Sequence, residues 1–210
     1  MRKTFKKFLC TLFVVVMCLA NSQFKLLEST EFRGFDFGVT ASALDSTGKC
    51  GENVSWRLTL EGDLVISGAG SMYQYGSSSP FAGSDKIRRI IVEDGVTTFE
   101  SSAFDNCTNL EYVSIGSSVK SIDPVGSETS FYGCKNLKTI EVDKNNPIYT
   151  CDSNGVLFDK SKTTLLKYPE GITNRTYIIP KTVTRIQVSA FAYNNYLEEV
   201  VIPDSVTMVD

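Results

Sequence analysis

The side chains that could perform chemistry in this 210-residue chain are carboxylates and cysteines, because the sequence contains no histidine. The lack of an imidazole excludes Ser-His-Asp and Cys-His nucleophile systems, histidine metal ligands and histidine general bases. A pair of carboxylates could still hydrolyse a glycoside. We interpret the candidates as solvated surface residues, because they fall at outward positions of predicted strands: Glu111, Glu141, Glu198 and Glu199. The sequence therefore predicts no catalytic residue, no metal site and no cofactor.

The cysteines fit a structural role better than a chemical one. Two of the six lie in the first twenty residues, and no cysteine spacing matches a zinc motif. Cys107 and Cys134 occupy equivalent positions of a repeat, on strands expected to lie roughly 4.8 Å apart, so they could form a disulfide or remain two buried thiols. We favour the thiols, because a small apolar side chain serves packing at this position in either state. Cys50 and Cys151 have no evident partner.

The element that must position these residues is an internal repeat. The line Phe-Asp-Asn-Cys-Thr-Asn-Leu-Glu-Tyr-Val-Ser-Ile begins at Phe104, and Phe-Tyr-Gly-Cys-Lys-Asn-Leu-Lys-Thr-Ile-Glu-Val begins at Phe131. The same frame returns at Phe191. Self-similarity of this kind indicates a solenoid, in which each unit buries its apolar face only by stacking on the next.

The period of the repeat is typical of leucine-rich repeats. The last apolar residues of successive predicted strands are 23, 27, 37 and 23 residues apart, and a base period of 23 lies in the leucine-rich-repeat range. These markers are Val92, Ile115, Val142, Ile179 and Ile202. The four extra residues fall in a loop containing Pro and Gly between Ile122 and Phe131.

The fourteen extra residues predict a hairpin inserted at about 150–168. Asp152-Ser153-Asn154-Gly155 has the composition of a turn. Residues 156–158 and 164–166 are predicted as its flanking strands.

Within each repeat the strand alternates between core and solvent. Val113 and Ile115 are expected to point inward, and Tyr112 and Ser114 outward. Because the strands are predicted to be parallel and in register, equivalent positions form columns. The aromatic column expected in the turn region holds Phe81, Phe104, Phe131 and Phe191.

The sequence thus predicts a mainly β fold, a leucine-rich-repeat solenoid of about five coils with parallel strands at residues 80–210. Residues 44–79 are predicted to form an N-terminal capping β-hairpin, since a solenoid's first coil would otherwise expose apolar surface. In that hairpin Val54, Trp56, Leu58 and Leu60 alternate before a turn at 61–63. The chain stops where the next repeat would begin, so we expect an uncovered last coil, either in a fragment of a longer protein or paired with another molecule.

Residues 1–43 are predicted to be a signal peptide and leader. Four basic residues lie within the first seven, and thirteen residues without a charge follow at 8–20; this pattern is typical of a secretory signal. The apolar run is too short for a transmembrane helix, so we expect no membrane insertion after signal removal. Cleavage after Ala20 and cleavage after Ala43 both remain open.

Charge restricts the class of partner. Residues 44–210 hold 15 basic and 21 acidic side chains, a net charge of −6. Nucleic acids and anionic membrane surfaces are bound by basic patches, so we expect neither as a partner.

The repeat resembles that of the BspA-type leucine-rich-repeat proteins. The resemblance rests on the Ala-Phe-x-x-Cys-x-x-Leu-x-x-Val-x-Ile frame and on Pro-Asp-Ser-Val at 203–206. The segment Cys-Gly-Glu-Asn-Val-Ser-Trp at 50–56 is similar to the N-terminal cap of bacterial members. The resemblance covers residues 50–210 and implies a secreted or surface-displayed bacterial protein, with adhesion or protein binding as its function and with no catalytic residues.

The outward columns are where binding specificity could be encoded, because solenoid sheets commonly bind through an extended exposed surface. The two candidate columns are Arg89, Tyr112, Thr139, Thr176 and Glu199, and Ile91, Ser114, Glu141, Ile178 and Val201. A flanking column of Arg88, Glu111, Lys138, Arg175 and Glu198 largely alternates in sign, which favours cross-strand pairing.

Two functions compete on these residues. In the first, the exposed sheet holds an extracellular protein or glycan, from host matrix or from another bacterial surface. In the second, the repeats form a structural spacer or display stalk of a longer surface protein. A carbohydrate-active enzyme is a weaker third interpretation.

Overall fold

The structure, a computed structural model, describes residues 45–75, 78–122 and 131–210. The predicted signal peptide and leader and the whole loop between Ile122 and Phe131 lie outside these ranges. In the described part, short strands carry nearly all the regular structure, and residues Ser101–Phe104 form a 3₁₀ turn. The strands are β1 (Ser46–Lys49), β2 (Val54–Leu58), β3 (Asp63–Gly68), β4 (Gly70–Ser71), β5 (Arg89–Val92), β6 (Val96–Phe99), β7 (Tyr112–Ile115), β8 (Ser121–Ile122), β9 (Thr139–Val142), β10 (Tyr149–Cys151), β11 (Leu157–Asp159), β12 (Thr164–Lys167), β13 (Thr176–Ile178), β14 (Arg185–Ile186), β15 (Glu199–Val201) and β16 (Met208–Val209).

The fold is a mainly β solenoid with parallel strands, as the repeat predicts. Strands β3, β5, β7 and β9 pair in parallel, with Arg89 opposite Tyr112 and Tyr112 opposite Thr139. The next residue along each strand points the other way, and Ile90 and Val113 are fully buried. The period-2 alternation therefore sets which side chains reach the core and which reach solvent.

The N-terminal cap is an antiparallel hairpin with one additional strand. Strands β2 and β3 pair across a turn in which the Thr59 amide donates to the Asp63 carbonyl and the Asp63 amide donates to the Thr59 hydroxyl. Strand β1 pairs with the outer edge of β2. The predicted alternation of core-facing side chains ends at Leu58. Leu60, which was expected to continue it, lies in the turn and is 63% exposed. Strand β3 then pairs with the first repeat strand, β5, which joins the cap to the solenoid.

The insertion is a three-stranded meander and not the single hairpin expected from the sequence. The turn at 152–155 connects β10 to β11, and a second turn connects β11 to β12, with antiparallel pairing in both cases. Strand β12 then pairs in parallel with β14, and β14 with β16. The meander thus supplies the first strand of a new parallel sheet.

Two clusters of buried side chains fill the solenoid. The first core runs from Cys50 to Ile140 and includes Leu157. The second core lies between Val156 and Ala190. The buried side chains are therefore divided into two clusters where the meander enters the solenoid.

The aromatic column is likewise interrupted. Phe81 stacks on Phe104 with ring centroids 5.2 Å apart, and Phe99 connects Phe104 to Phe131 at 5.3 and 5.9 Å. Phe191 belongs to the second core, so the expected column of four is not continuous. Phe99 was not predicted because it lies on β6, outside the repeated line.

The equivalent cysteines are free buried thiols, as the packing argument favours. The Cys107 thiol donates to the Phe81 carbonyl and the Cys134 thiol to the Phe104 carbonyl, each at 3.2 Å. Burial raises the pKa of Cys107 to about 11. Each thiol thus ties its coil to the preceding one and stays protonated at neutral pH.

Among the described residues, no helix has both the length and the apolar character needed to cross a lipid bilayer.

Candidate binding surface

Three strands place six of the predicted binding residues on one exposed face. Arg89 and Ile91 project from β5, Tyr112 and Ser114 from β7, and Thr139 and Glu141 from β9; none of the six is buried. The observed register puts them in two columns of three. We call these six residues the sheet-face strip.

The side chains of the strip hold one another in place. Arg89 Nη1 lies 3.4 Å from Asp63 Oδ2, and its guanidinium carbon lies 5.0 Å from the centroid of the Tyr112 ring. The Tyr112 hydroxyl donates to Glu141 Oε2 at 2.6 Å. Partial burial and the bond to Glu141 raise the pKa of Tyr112, so the phenol remains a donor. Ion pair, cation–π contact and hydrogen bond thus fix an aromatic ring between two charges.

Asp63 belongs to this network although sequence analysis treated it as a turn residue. Its position opposite Arg89 follows from the parallel pairing of β3 with β5. The signal for it was available, because extending the repeat register backwards by one strand reaches Asp63.

The predicted columns do not continue through all five strands. Strand β13 pairs with β15 and not with β9, so Thr176, Ile178, Glu199 and Val201 form a separate end strip. At the edge of β9 the Ile140 amide donates instead to the Gly155 carbonyl at 3.2 Å. The turn of the meander therefore occupies the place where β13 was expected.

The end strip differs in character from the sheet-face strip. Ile178 is 70% exposed and Val201, directly opposite it, is also exposed. Thr176 and Glu199 contact each other at 3.5 Å. This part of the surface is more apolar and has no aromatic side chain in the predicted columns.

An open concavity of about 490 Å³ borders the sheet-face strip at the carboxyl ends of β5, β7 and β9. Four carboxylates surround it, from Glu93, Asp94, Glu141 and Asp143. The Ser117 hydroxyl and amide each donate to Asp94 Oδ1 at 2.7 Å, and these bonds hold the pKa of Asp94 below its usual value. Within the described ranges, no three metal-ligating side chains converge. The concavity suits a cationic or hydroxyl-rich group.

Sequence analysis missed three of these four carboxylates. Glu93, Asp94 and Asp143 lie immediately after strands, in turns that the repeat template leaves variable. Parallel strands bring their carboxyl ends to one edge, so acidic residues directly after two strands were a usable signal.

The flanking column confirms cross-strand charge pairing at both ends. Arg88 contacts Glu111 at 3.1 Å, and Arg175 contacts Glu198 at 2.8 Å. Lys138 lies between these pairs, and no ion pair involves it within the described part of the chain. All four paired side chains are largely exposed.

The repeats match an established family. The profile of the BspA type leucine rich repeat region matches six copies, at residues 71–176 and 167–210. The chain belongs to this family. The six copies are one more than the five coils expected from the sequence.

Three solved structures are similar to this BspA-type chain. A leucine-rich repeat protein from Eubacterium ventriosum is 24% identical with a TM-score of 0.40 and covers 79% of this chain, which spans 62% of that protein. A leucine rich cell surface protein from Faecalibacterium prausnitzii is 17% identical with a TM-score of 0.35, over 80% of this chain and 73% of that one. The pneumococcal vaccine antigen PcpA is 13% identical with a TM-score of 0.32, over 77% and 71%. No curated protein matches the sequence.

Proposed function

We propose that this BspA-type protein is a secreted or surface-displayed bacterial binding module that holds an extracellular partner against its sheet-face strip. The observation that carries the proposal is the fixed Asp63–Arg89–Tyr112–Glu141 network on the exposed face of a parallel sheet. Arg and Tyr are favoured anchors of interfaces. Because their positions are already set by mutual contacts, binding would order few additional side chains.

The acidic concavity indicates which chemistry the partner presents. Glu93, Asp94 and Asp143 surround open space beside Glu141, a member of the strip. Together with the net charge of −6 over residues 44–210, this arrangement favours a partner with basic groups. A protein that inserts a Lys or Arg side chain beside Glu141 fits best, and a neutral glycan with hydroxyl donors fits second.

A structural spacer is the second candidate, and the exposed ion pairs favour it. Arg88–Glu111 and Arg175–Glu198 stabilise neighbouring coils without presenting an unpaired group to a partner. A stalk needs such register contacts, but it does not need an aromatic ring held between charges beside a concavity.

A binding titration separates the two candidates. Partners would be recovered with the wild-type protein from host matrix proteins and bacterial surface extracts, and then titrated against the double variant Arg89→Ala/Tyr112→Ala. We expect the affinity to fall at least tenfold while the circular-dichroism melt keeps its shape.

A matched control removes the same kinds of side chain elsewhere. Lys181→Ala/Tyr196→Ala deletes one exposed cation and one exposed tyrosine away from the strip, and its affinity should equal that of the wild type. Equal affinity in both double variants would reject the strip as the binding surface. Failure to recover any partner would favour the spacer.

A further inference from the structure

A second concavity lies where the sheet is interrupted, between β9 and β13. It has a volume of about 260 Å³ and is lined by Lys138, Asn154, Gly171, Ile172, Thr173 and Asn174. Four of these residues are exposed and carry polar side chains. We call this concavity the interruption cleft. It is separate from the acidic concavity, with which it shares no lining residue.

Two glycines fix the walls of the interruption cleft against β9 and the residues before it. A Cβ at Gly155 would lie 2.8 Å from the Thr139 Cα, and one at Gly171 would lie 2.6 Å from the Asn136 carbonyl carbon. The Gly171 amide donates to the Leu137 carbonyl at 2.8 Å. Backbone meets backbone on both sides, so the cleft is formed before any ligand arrives.

Asp152 stabilises the turn of the meander that carries Asn154. Its carboxylate accepts the Asn154 and Val156 amides at 2.9 and 3.0 Å, and the Tyr177 hydroxyl at 2.8 Å. Burial and the bond to Asp152 raise the pKa of Tyr177, so this phenol stays a donor. Asp152 is thus occupied by internal bonds, and the turn that presents Asn154 is linked directly to β13.

The charge in the interruption cleft comes from Lys138. Glu111, its neighbour at the adjacent strand of the sheet, already contacts Arg88. The cleft therefore combines an ammonium group that has no ion pair among the described residues with the side-chain amides of Asn154 and Asn174. The Asn154 amide also donates to Asp152 Oδ2, but at 3.5 Å, and its carbonyl oxygen stays available to a ligand. An ammonium binds a carboxylate as a point charge, and amides both donate to and accept from hydroxyls.

We propose that the interruption cleft binds an acidic sugar unit, with Lys138 pairing the sugar carboxylate. Asn154, Thr173 and Asn174 would hydrogen-bond the ring hydroxyls. The volume is slightly below the range of drug-sized pockets, which suits a single sugar unit of a longer chain. This site goes beyond the sheet-face strip and does not depend on its partner.

The test uses the full chain and two disaccharides that differ only in whether each sugar ring carries a carboxylate. Digalacturonate carries the carboxylates, and galactobiose replaces them with hydroxymethyl groups. We expect digalacturonate to shift the Asn154 and Asn174 side-chain amide signals in a saturable NMR titration, and galactobiose to bind at least tenfold more weakly. Glucuronate and N-acetylneuraminate oligomers are titrated in the same way to cover other acidic sugars.

Variants locate the binding site and separate this proposal from the proposed function. Lys138→Gln should weaken digalacturonate binding at least tenfold, and Lys138→Arg should retain most of it. Lys120→Gln, which removes another exposed lysine, and Arg89→Ala/Tyr112→Ala should leave it unchanged.

Three results would overturn the proposal. The first is the absence of a saturable shift with every acidic oligomer. The second is unchanged affinity in Lys138→Gln. The third is tighter binding of an N-acetylated Asp-Glu peptide than of any acidic saccharide, which would make the cleft a peptide site.

Discussion

The first core and the second core differ in the side chains that the solenoid buries around them. The first core buries apolar residues in coil after coil, from Leu64 to Ile140. The second core adjoins a buried ion pair, in which Lys167 Nζ lies 3.6 Å from Glu170 Oε1 with side-chain exposures of 2% and 0%. The buried ion pair lies at the end of the meander, where the repeat is interrupted. In the first half the buried carboxylate of Glu100 accepts a backbone amide, that of Tyr75. The interruption instead brings a cation and a carboxylate into the interior as a pair.

The buried pair connects the two halves of the solenoid. Besides contacting Lys167, Glu170 Oε1 accepts the Gly133 amide at 3.0 Å. Burial lowers the pKa of Lys167 and raises that of Glu170, and the attraction between the two groups opposes both shifts. Desolvation on this scale rarely yields net stability. We infer that the pair instead sets the position of the chain after the meander relative to residue 133.

The largest expected effect comes from removing one charge of this pair. Lys167→Met leaves Glu170 buried without its cation, and we expect a loss of about 3–5 kcal/mol in the free energy of unfolding, measured by urea denaturation. The double variant Lys167→Met/Glu170→Leu removes both charges and should recover most of that loss. If the single variant lost less than about 1 kcal/mol, the two cores would not differ in the way described.

The second prediction tests the cap of the first core. Trp56 is half-buried and packs edge-on against Phe81, with ring centroids 5.4 Å apart. Trp56→Ala should therefore cost about 2–3 kcal/mol, less than the roughly 3–5 expected for a fully buried ring. Leu60→Ala is the control, since that side chain is exposed and should change stability by less than about 0.5 kcal/mol. A melting temperature unchanged by Trp56→Ala would show that the cap does not protect the first core.

The first half was predictable because its register is periodic. Tyr112 follows Arg89 by the 23-residue interval, and Thr139 follows Tyr112 once the four extra loop residues are added. The structure has all three in one column. The contacts among them were not predictable, since a cation over a ring and a 2.6 Å phenol–carboxylate bond depend on rotamers. Sequence pattern specifies columns, and packing specifies their contacts.

The second half was not predictable by counting because an insertion resets the register. The composition of 152–155 correctly indicated a turn, but period-2 patterns do not show which neighbouring strand a turn joins. Gly155 sets which strand the turn contacts. Its positive φ of 78° and its close approach to Thr139 place the turn at the edge of β9. That placement separated β13 from β9 and created the interruption cleft.

The smallest expected effect compares one exposed ion pair from each half. Arg88–Glu111 flanks the sheet-face strip and Arg175–Glu198 flanks the end strip, both across neighbouring parallel strands. The side chains of the second pair are more exposed, 77% and 63% against 60% and 43%. Water and salt therefore screen the second pair more strongly, although its contact is shorter.

We expect both pairs to contribute weakly and the first to contribute more. Double-mutant cycles built from Arg88→Ala with Glu111→Ala should give a coupling energy of about 0.5–1 kcal/mol, and those from Arg175→Ala with Glu198→Ala about 0.2–0.5. Both values should fall when the cycles are repeated at 1 M salt, where the Debye length is about 3 Å. A larger coupling in the Arg175 pair would mean that contact distance outweighs exposure, and the end strip would then be held as firmly as the sheet-face strip.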